Sequence, residues 1–452
     1  MKLQAYLAQL PGDKVLADTP TGTWTASRLL ENYHAWAQAL SGRKVAVQLA
    51  DPGLGIGVLT ALDGAAASIT LLSPALPPEH LPKLLEHAQC DILLSDTTAA
   101  TDELPLSDVY LHPDEIRPPD TKGVEYSSST DWHLATSGTT GVPKLVSHSL
   151  ASLVRTTKVR QPTGQEPRWG LLYDYTRFAG LQVLLQAVLA GSRLIAPPVD
   201  VPLRTKIAHL AAAGCTHLSA TPTMWRKIAM TPEARELPLR QITLGGEIAD
   251  DRILNSLAAI YPTARVVHIY ASTEAGVGFS VKDRQSGFPT SYLDDPPEGV
   301  ALRIADGRLF IKNTAVRSSY VGTDIGFGTE DGWIETGDNV TVKGGRVHFL
   351  GRASGLINVG GDKVYPEEVE TILMSHSDVH AARVFGRASS IMGTVVAAEV
   401  VLNHPPGDGT EMRRELKKFL GMRLAPAKVP AIINFVEDLA LNATGKVSRD
   451  AS

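Results

Sequence analysis

Cysteine is scarce in this sequence: its 452 residues include two cysteines, Cys90 and Cys215, which lie far apart. Their separation matches neither a metal site nor a redox pair, so we expect both to be small apolar core residues. Long apolar runs are also missing, because nowhere do about 18 apolar residues follow one another, and the first residues lack the apolar segment of a secretory signal. These absences predict a cytoplasmic protein that does not insert into a membrane.

The sequence has no long run of lysine or arginine either. Its 43 basic and 48 acidic residues give a net charge of −5 that is spread along the chain, so no nucleic-acid partner is expected. Hydrophobic residues make up 43% of the chain, which is ample material for burial, and 452 residues are too many for one ordinary core. We therefore expect two or three domains.

Helical and strand-like patterns alternate along the first two thirds of the chain. "WTASRLLENYHAWAQAL" has helical spacing with Thr25 as the expected cap, and "KVAVQLA" is typical of a short strand. This alternation predicts α/β layers with parallel strands. After residue 298, short strands joined by Asp-Gly and Gly-Gly turns predict hairpins.

A mixed pattern after Gly351 predicts a small α+β unit: "EEVETILMSH" and "EMRRELKKFLGMRL" favour helices, and "AARVFG" and "TVVAAEVVL" favour strands. We place the boundary in "GRASG", so that a large domain covers residues 1–351 and a small domain covers residues 352–452.

The stretch "LATSGTTGVPKLVSHS" concentrates small hydroxyl residues and glycines ahead of Lys144. It is not a Walker-type loop, which requires Gly-Lys-Ser/Thr. One interpretation is an ordinary turn. The other is an anion-binding loop whose N–H groups and hydroxyls surround the β- and γ-phosphates of a nucleotide, with the lysine as a point charge. The residues of this loop are Thr136, Ser137, Gly138, Thr139, Thr140, Gly141 and Lys144.

"TSGTTGVPK" resembles the phosphate loop of the adenylate-forming enzymes, which include acyl-CoA synthetases, adenylation domains of non-ribosomal peptide synthetases, and luciferases. Companion segments follow in the family's order and extend the resemblance over nearly the whole chain. They are "LGGEIAD", "HIYASTEAG", "WIETGD", "GRASGLINVGGDKVYPEEVE" and "LNATGKVSRD". The resemblance implies a large N-terminal multilayer α/β domain with a distorted β-barrel portion, followed by a small mobile C-terminal α+β domain.

The resemblance also implies roles at a nucleotide site. Tyr270 would stack on the adenine of ATP, Thr273 would contact the α-phosphate, and Glu274 would hold Mg²⁺, a cation that prefers oxygen ligands. Asp338 would accept hydrogen bonds from the ribose hydroxyls, and Arg352 would reach the ribose or a phosphate. Further residues expected around the nucleotide are Gly245, Gly246, Glu247, Ala271 and Ser272.

The implied reaction is attack of a carboxylate on the α-phosphorus of ATP, which gives an acyl-adenylate and pyrophosphate. Because the acid is itself the nucleophile, the protein has only to position groups and neutralise charge. Lys446 would bridge the carboxylate and the α-phosphate. The small domain would then rotate about a hinge at Ser354, and Gly360 and Gly361 would line a tunnel for the acceptor.

Three outcomes for the activated acid stay open. The acceptor is expected to be coenzyme A, with carrier-protein phosphopantetheine or an amine as alternatives. A non-catalytic nucleotide-binding relative is a further alternative, which the presence of Lys446 disfavours because a pure binder has no use for it.

The acid pocket is expected around the segment 169–189, which corresponds to the family's pocket helix. The aromatic residues near Gly180 in this segment suit a flat aryl acid. Arg177 would pair with a second anionic group or an ortho polar substituent of the acid, or is a surface or phosphate-facing arginine. A small aryl or short acid is favoured over a long fatty acid, because Ala271 stands where relatives have glycine and narrows the floor of the pocket. Candidate pocket residues are Tyr173, Tyr175, Arg177, Phe178, Gly180, His268, Ala271 and Phe279.

Overall fold

The computed structural model describes residues 2–96, 106, 108–110, 115–116, 129–136, 142–157, 165–316, 320–323, 326–329, 331–359, 362–389, 393–405, 407 and 409–439. The helices are α1 (Leu3–Leu7), α2 (Ala26–Leu30), α3 (Tyr33–Ala39), α4 (Pro52–Leu62), α5 (Leu81–Ala88), α6 (Leu150–Leu153), α7 (Phe178–Leu189), α8 (Leu203–Ala212), α9 (Pro222–Met230), α10 (Asp251–Ile260), α11 (Pro366–Met374) and α12 (Gly409–Gly421). None of them is long and apolar enough to cross a membrane.

Strands in the first part of the chain are β1 (Val15–Thr19), β2 (Gly22–Thr25), β3 (Lys44–Gln48), β4 (Ser68–Leu71), β5 (Ile92–Ser95), β6 (Asp108–Tyr110), β7 (Asp131–Ala135), β8 (Leu145–Ser149), β9 (Arg168–Gly170), β10 (Arg193–Ile195), β11 (His217–Ala220), β12 (Gln241–Gly245), β13 (Arg265–Ser272) and β14 (Gly276–Val281). They form a six-stranded sheet in the order β6-β5-β3-β4-β7-β8 and an eight-stranded sheet in the order β14-β13-β12-β11-β9-β10-β1-β2. Most neighbours in both sheets are parallel, so the predicted α/β layers are confirmed.

The remaining strands are β15 (Phe288–Pro289), β16 (Ala301–Ala305), β17 (Arg308–Lys312), β18 (Trp333–Lys343), β19 (Arg346–Arg352), β20 (Ile357–Val359), β21 (Asp362–Val364), β22 (Val379–Ser389), β23 (Gly393–Leu402) and β24 (Ile432–Phe435). β15 to β19 form an antiparallel sheet, and the predicted hairpin turns join β16 to β17 and β18 to β19. At the first turn Asp306 and Gly307 have φ of 49° and 71°, the left-handed pair that a tight hairpin requires.

The elements after Gly355 form the predicted α+β unit. β20 pairs with β21, and β22, β23 and β24 form a second sheet that packs with α11 and α12 around a core of its own. The domain boundary at residues 351–352 stays a prediction.

Two details of the sequence patterns can be compared directly with the structure. Cys90 and Cys215 are buried and free, as expected. The helical spacing predicted in "WTASRLLENYHAWAQAL" is confirmed but divided over two helices, because α2 ends at Leu30 and α3 begins at Tyr33. The break includes Asn32, and asparagine has low helix propensity. Thr25 caps α2, as expected, because its Oγ1 accepts a hydrogen bond from the N–H of Arg28 at 3.3 Å.

Two cations from the large sheet's helices hold the α+β unit. Arg252 of α10 donates to the carbonyl oxygens of Met374, His376 (2.9 Å) and Val379 (2.7 Å) at the carboxyl end of α11. Met374 is the last residue of α11, where helix carbonyls lack intrahelical partners and carry partial negative charge. His376 lies in the following turn, and Val379 is the first residue of β22. Lys227 of α9 donates to Asp438 at 2.8 Å. The arginine therefore completes a helix that belongs to the other unit.

Replacing Arg252 by alanine is expected to loosen the end of α11. Lost charge-assisted hydrogen bonds amounting to about 1–2 kcal/mol would speed local opening by about 5- to 30-fold. Hydrogen–deuterium exchange of the peptides covering residues 371–379 measures this. The exposed Arg235→Ala variant is the control and should exchange like the wild type. Unchanged exchange in Arg252→Ala would show that the contact does not hold α11.

Candidate active site

A cavity of about 1870 Å³ lies at the carboxyl ends of β11, β12 and β13 and is lined by both units. Ligands of open α/β sheets bind at this edge, where the strands end. Single-ligand pockets usually measure about 300–1,000 Å³, so this cavity has room for more than one ligand.

The base of the predicted phosphate loop enters this cavity. β7 and β8 form an antiparallel hairpin, and Thr136 and Lys144 close it: the N–H of Thr136 donates to the Lys144 carbonyl at 2.8 Å, and Thr136 Oγ1 accepts from the Lys144 N–H at 3.3 Å. Both residues line the cavity. The other loop residues, Ser137, Gly138, Thr139, Thr140 and Gly141, lie outside the described residues.

The turn between β13 and β14 brings Thr273 and Glu274 to the cavity. The Ser272 hydroxyl accepts from the N–H of Ala275 at 3.0 Å and shapes the turn. The oxygen-bearing side chains of this turn, the hydroxyl of Thr273 and the carboxylate of Glu274, suit a hard cation such as Mg²⁺. The donor set therefore fits the predicted magnesium role of Glu274.

Two residues that the motifs did not reveal support this turn. Tyr320 donates its hydroxyl to Glu274 Oε1 at 3.3 Å, and Lys144 Nζ lies 4.5 Å from the centre of the Tyr320 ring. His148 Nε2 lies 2.8 Å from the Thr273 carbonyl oxygen and is therefore its donor. The tyrosine thus links the phosphate-loop lysine to the carboxylate of a distant turn, which no local pattern in the sequence indicates.

The predicted ribose carboxylate is held from two sides. Tyr270 donates its hydroxyl to Asp338 Oδ2 at 2.5 Å, and Arg352 Nε lies 3.3 Å from Asp338 Oδ1. Burial raises the pKa of Tyr270, and the neighbouring carboxylate raises it further. The Tyr270 ring is stacked with Phe279 and Phe349, each with centroids 5.2 Å away. The roles of these residues towards adenine and ribose stay predictions.

The predicted acid-pocket residues divide into two groups. Arg177, Phe178 and Gly180 line the cavity at the start of α7, and Arg177 Nε lies 3.5 Å from Asp174 Oδ2. A Cβ at Gly180 would lie 2.1 Å from the Asp174 carbonyl oxygen, so only glycine fits there. Tyr175 instead turns into the core.

Placing Tyr175 in the pocket was therefore wrong. Its hydroxyl donates to the Leu49 carbonyl at 2.7 Å, and its ring fills the space left by Gly55. Tyr173 lines the cavity in its place. Tyr173 and Tyr175 lie two positions apart in an irregular segment, and the sequence did not fix which of them faces the cavity.

His268 and Phe279 line the cavity on the side of Tyr270, while Ala271 lies on the opposite face of β13. Phe279 is 1% exposed and packs mainly among aromatic residues. His268 Nε2 contacts the Gln285 carbonyl at 2.9 Å. Both therefore flank the expected nucleotide position rather than the acid pocket.

The segment after β12 also reaches the cavity. Gly245, Gly246 and Glu247 line it, and the left-handed φ of Gly246, 81°, turns the chain there. Glu247 Oε2 accepts from the N–H of Thr223 at 2.9 Å, at the amino end of α9.

Ser354 lies in the short turn Ala353–Gly355 after β19 and lines the cavity. Its hinge role stays a prediction. Gly360, Gly361 and Lys446 lie outside the described residues.

Burial lowers the pKa of His148 to about 4, against the opposing effect of its bond to Thr273. In the unfolded chain this imidazole titrates near its ordinary value of about 6.5. Between these two values the unfolded state binds a proton that the folded state does not, so the stability falls as the pH falls through this window.

Acidification from pH 7 to 5 is therefore expected to lower the melting temperature, with His148 contributing at most about 2 kcal/mol of the loss. His148→Gln keeps an N–H donor but does not titrate, so its melting temperature should fall less over this range. The exposed His209→Gln variant should follow the wild type. Equal pH dependence of wild type and His148→Gln would contradict a neutral buried His148.

Comparison with known proteins agrees with the resemblance. A 2-succinylbenzoate–CoA ligase of Bacillus cytotoxicus is 28% identical over 444 residues, which cover 92% of this chain and 89% of that protein. A probable nonribosomal peptide synthetase of Salinispora arenicola, CymA, is 26% identical over 95% of this chain, which spans 6% of its length.

Two solved structures share the fold. The anthranilate CoA ligase AuaEII in complex with anthranoyl-AMP superposes with a TM-score of 0.85 at 19% identity, over 99% of this chain and 96% of its own. The o-succinylbenzoate CoA synthetase MenE of Bacillus subtilis, in complex with its acyl-adenylate intermediate, gives a TM-score of 0.77 at 23% identity, over 100% and 98%.

The sequence model of the AMP-binding enzymes matches residues 3–309, and that of the AMP-binding enzyme C-terminal domain matches residues 368–446. The first match alone spans more than half of the chain. The predicted resemblance is thereby confirmed, and the chain belongs to the AMP-binding enzyme family.

Proposed function

We propose that this chain activates a small aryl carboxylic acid with ATP, releases pyrophosphate, and transfers the acyl group to the thiol of coenzyme A. One observation carries the proposal. A single cavity brings together the base of the phosphate loop, the Thr273–Glu274 turn, the Asp338–Arg352 pair and the start of α7. A 2-succinylbenzoate–CoA ligase aligns with 92% of the chain, which supports an acid–CoA ligase activity.

In the first step a carboxylate oxygen of the acid attacks the α-phosphorus, the bond to the bridging oxygen breaks, and pyrophosphate leaves. Lys144 holds the departing phosphates as a point charge, and Thr273 faces the α-phosphate. Bound Mg²⁺ supplies positive charge to the phosphate oxygens, with Glu274 as its protein ligand. The protein therefore contributes position and charge rather than a nucleophile.

In the second step the thiol sulfur attacks the carbonyl carbon of the acyl-adenylate, the thiol proton is lost, and AMP leaves. Lys446 is assigned to the first step, and the glycines Gly360 and Gly361 to the second. A rotation of the small domain about Ser354 would withdraw Lys446 after the first step and bring Gly360 and Gly361 to the site for the second.

The aryl character of the acid is supported from two directions. Tyr173 and Phe178 border the start of the pocket and offer flat apolar faces. Two CoA ligases that resemble the chain are named for 2-succinylbenzoate and anthranilate, both of which contain a benzene ring.

Transfer to carrier-protein phosphopantetheine, or to an amine, is the second candidate. The similarity to CymA, a probable peptide synthetase, favours it, because nearly the whole chain aligns with one segment of that protein. The cytosol remains the predicted location for either function.

The test is acid-dependent pyrophosphate release with ATP and Mg²⁺ over a panel of benzoates, cinnamates and fatty acids, with and without coenzyme A. The proposal expects release with benzoates and a coenzyme A thioester as product. Adenylate without thioester would support the second candidate. No release with any acid would overturn both.

Lys446→Ala should separate the two steps. Removing the charge that bridges carboxylate and α-phosphate is expected to lower acid-dependent pyrophosphate release by about 100-fold or more. Thioester formation from a synthetic acyl-adenylate should stay within about threefold of the wild type, because that step does not use the lysine. The exposed Lys343→Ala variant is the control. Unchanged pyrophosphate release would contradict the assigned role.

Tyr320→Phe removes one hydrogen bond to Glu274 and leaves the ring beside Lys144. A bond of this kind is worth about 0.5–1.5 kcal/mol, so kcat/KM for MgATP should fall by about 3- to 10-fold. Tyr320→Ala, which also removes the ring, should lose more. Tyr33→Phe, away from the cavity, serves as control. Equal activity of Tyr320→Phe and wild type would show that the hydroxyl does not position Glu274.

A further inference from the structure

The cavity continues as a channel between α7 and one face of the eight-stranded sheet. Its sheet wall is formed by alternate residues of neighbouring strands, and its helix wall by residues one turn apart on α7. The sheet wall includes His217, Ser219, Gln241 and Thr243, and the helix wall includes Gln182 and Gln186.

This channel wall is polar where a parallel sheet is normally apolar. Central parallel strands are usually buried on both faces and consist of nearly continuous apolar residues. β11 and β12 break that rule. Their other face, with Leu218, Ile242 and Leu244, packs in an apolar core. The face towards α7 carries His217, Ser219, Gln241 and Thr243.

Several of these polar groups have unused hydrogen-bonding capacity. Ser219 is 8% exposed and makes no side-chain hydrogen bond to any residue that the structure describes. Ser192, which also lines the cavity, is fully buried and its Oγ has no partner among the described residues. Leaving buried hydroxyls unpaired costs free energy, and a polar ligand in the channel would recover it.

The far end of the channel is positively charged. Arg265 forms no ion pair within the described part of the chain and borders the cavity there. Burial lowers the pKa of His217 to about 4, and the nearby charges of Arg240 and Arg265 also contribute to the decrease. This imidazole therefore stays neutral and adds no second charge. The positive charge of Arg265 at this end suits oxygen atoms on a ligand.

The length of the channel exceeds that of a simple benzoate. From Gly245 at the nucleotide end to Gln241 at the far end, the strand advances four residues, or about 13 Å at the usual rise per residue. A benzoate, which is one ring with a carboxyl group, is shorter than that distance. An extension on the ring would run along the polar wall at Thr243 and Gln241.

We propose that the preferred aryl acid carries an extension with acceptor oxygens, directed away from the reacting carboxyl group, and that Ser219 and Thr243 select it by hydrogen bonding. This inference rests on the proposed function, since the channel begins where the acid would be adenylated. It goes further by predicting which aryl acids the chain accepts.

The experiment compares benzoates with para tails of equal length: butyl, hydroxypropyl and carboxyethyl, together with benzoate itself. Binding is measured by calorimetry in the presence of an ATP analogue with a methylene group between the α- and β-phosphorus atoms. Turnover is measured by pyrophosphate release with ATP. Because binding needs no chemistry, the inference is tested even if no acid is activated.

Polar tails should bind and react at least about tenfold better than the butyl tail, because sites built for hydrogen bonds reject ligands that lack them. Ser219→Ala and Thr243→Val should each reduce this preference by about three- to tenfold. Thr243→Ser keeps a hydroxyl and should retain it, as should the exposed control Ser256→Ala.

Equal or better binding of the butyl acid would overturn the inference, and pyrophosphate release from benzoate would then leave the proposed function standing. Preferential binding of polar tails without release from any acid would support the channel's selectivity and overturn the proposed function. A polar preference that survives in Thr243→Val and Ser219→Ala would overturn the assignment to these two residues.

Discussion

The parallel pairing of β11, β12 and β13 is the constraint on which the site depends. Leu244 pairs with His268 and Gly245 with Ile269, so the ends of these strands meet at one edge of the sheet. The chain leaves β12 through two glycines and leaves β13 through the turn that contains Glu274. Residues that are far apart in sequence thereby face one cavity. A shift of this register by one residue would turn every side chain of the strand to the opposite face.

A second constraint joins the nucleotide side of the cavity to the start of the small unit. Asp338 and Arg352 are paired in the β18–β19 register, and the arginine is the last residue of its strand. Next to it, Gly351 adopts φ of 138°, and a Cβ there would lie 2.2 Å from the Glu367 carboxylate. The backbone therefore passes close to α11 at the point where the chain leaves the large sheet. A ligand that forms a hydrogen bond with Asp338 therefore contacts the partner of Arg352, the residue at which the chain leaves β19.

Local signals explain why much of this could be predicted. The Asp-Gly turn needs left-handed backbone at both residues, and the sequence contains that pair at the observed position. Thr136, Lys144, Glu274, Asp338 and Arg352 lie in short motifs and do reach one cavity. The sequence did not predict which way individual side chains point. Tyr175 and Tyr173 differ by two positions in an irregular segment, and only the packing of α7 decides which one faces the cavity. Tyr320 meets Glu274 across 46 residues and has no local signature.

The polar alternation of "HLSA" and "QITLG" was visible in the sequence, but its meaning was not. Read alone, it is typical of a strand with one face in water. In the structure both faces are covered by helices, so the polar face carries a cost that ordinary packing would have removed. Proteins break local rules of this kind chiefly where function requires it. The same strands thus serve two purposes: their apolar face stabilises the sheet against α8, α9 and α10, and their polar face leaves a space that only a ligand with its own oxygens completes.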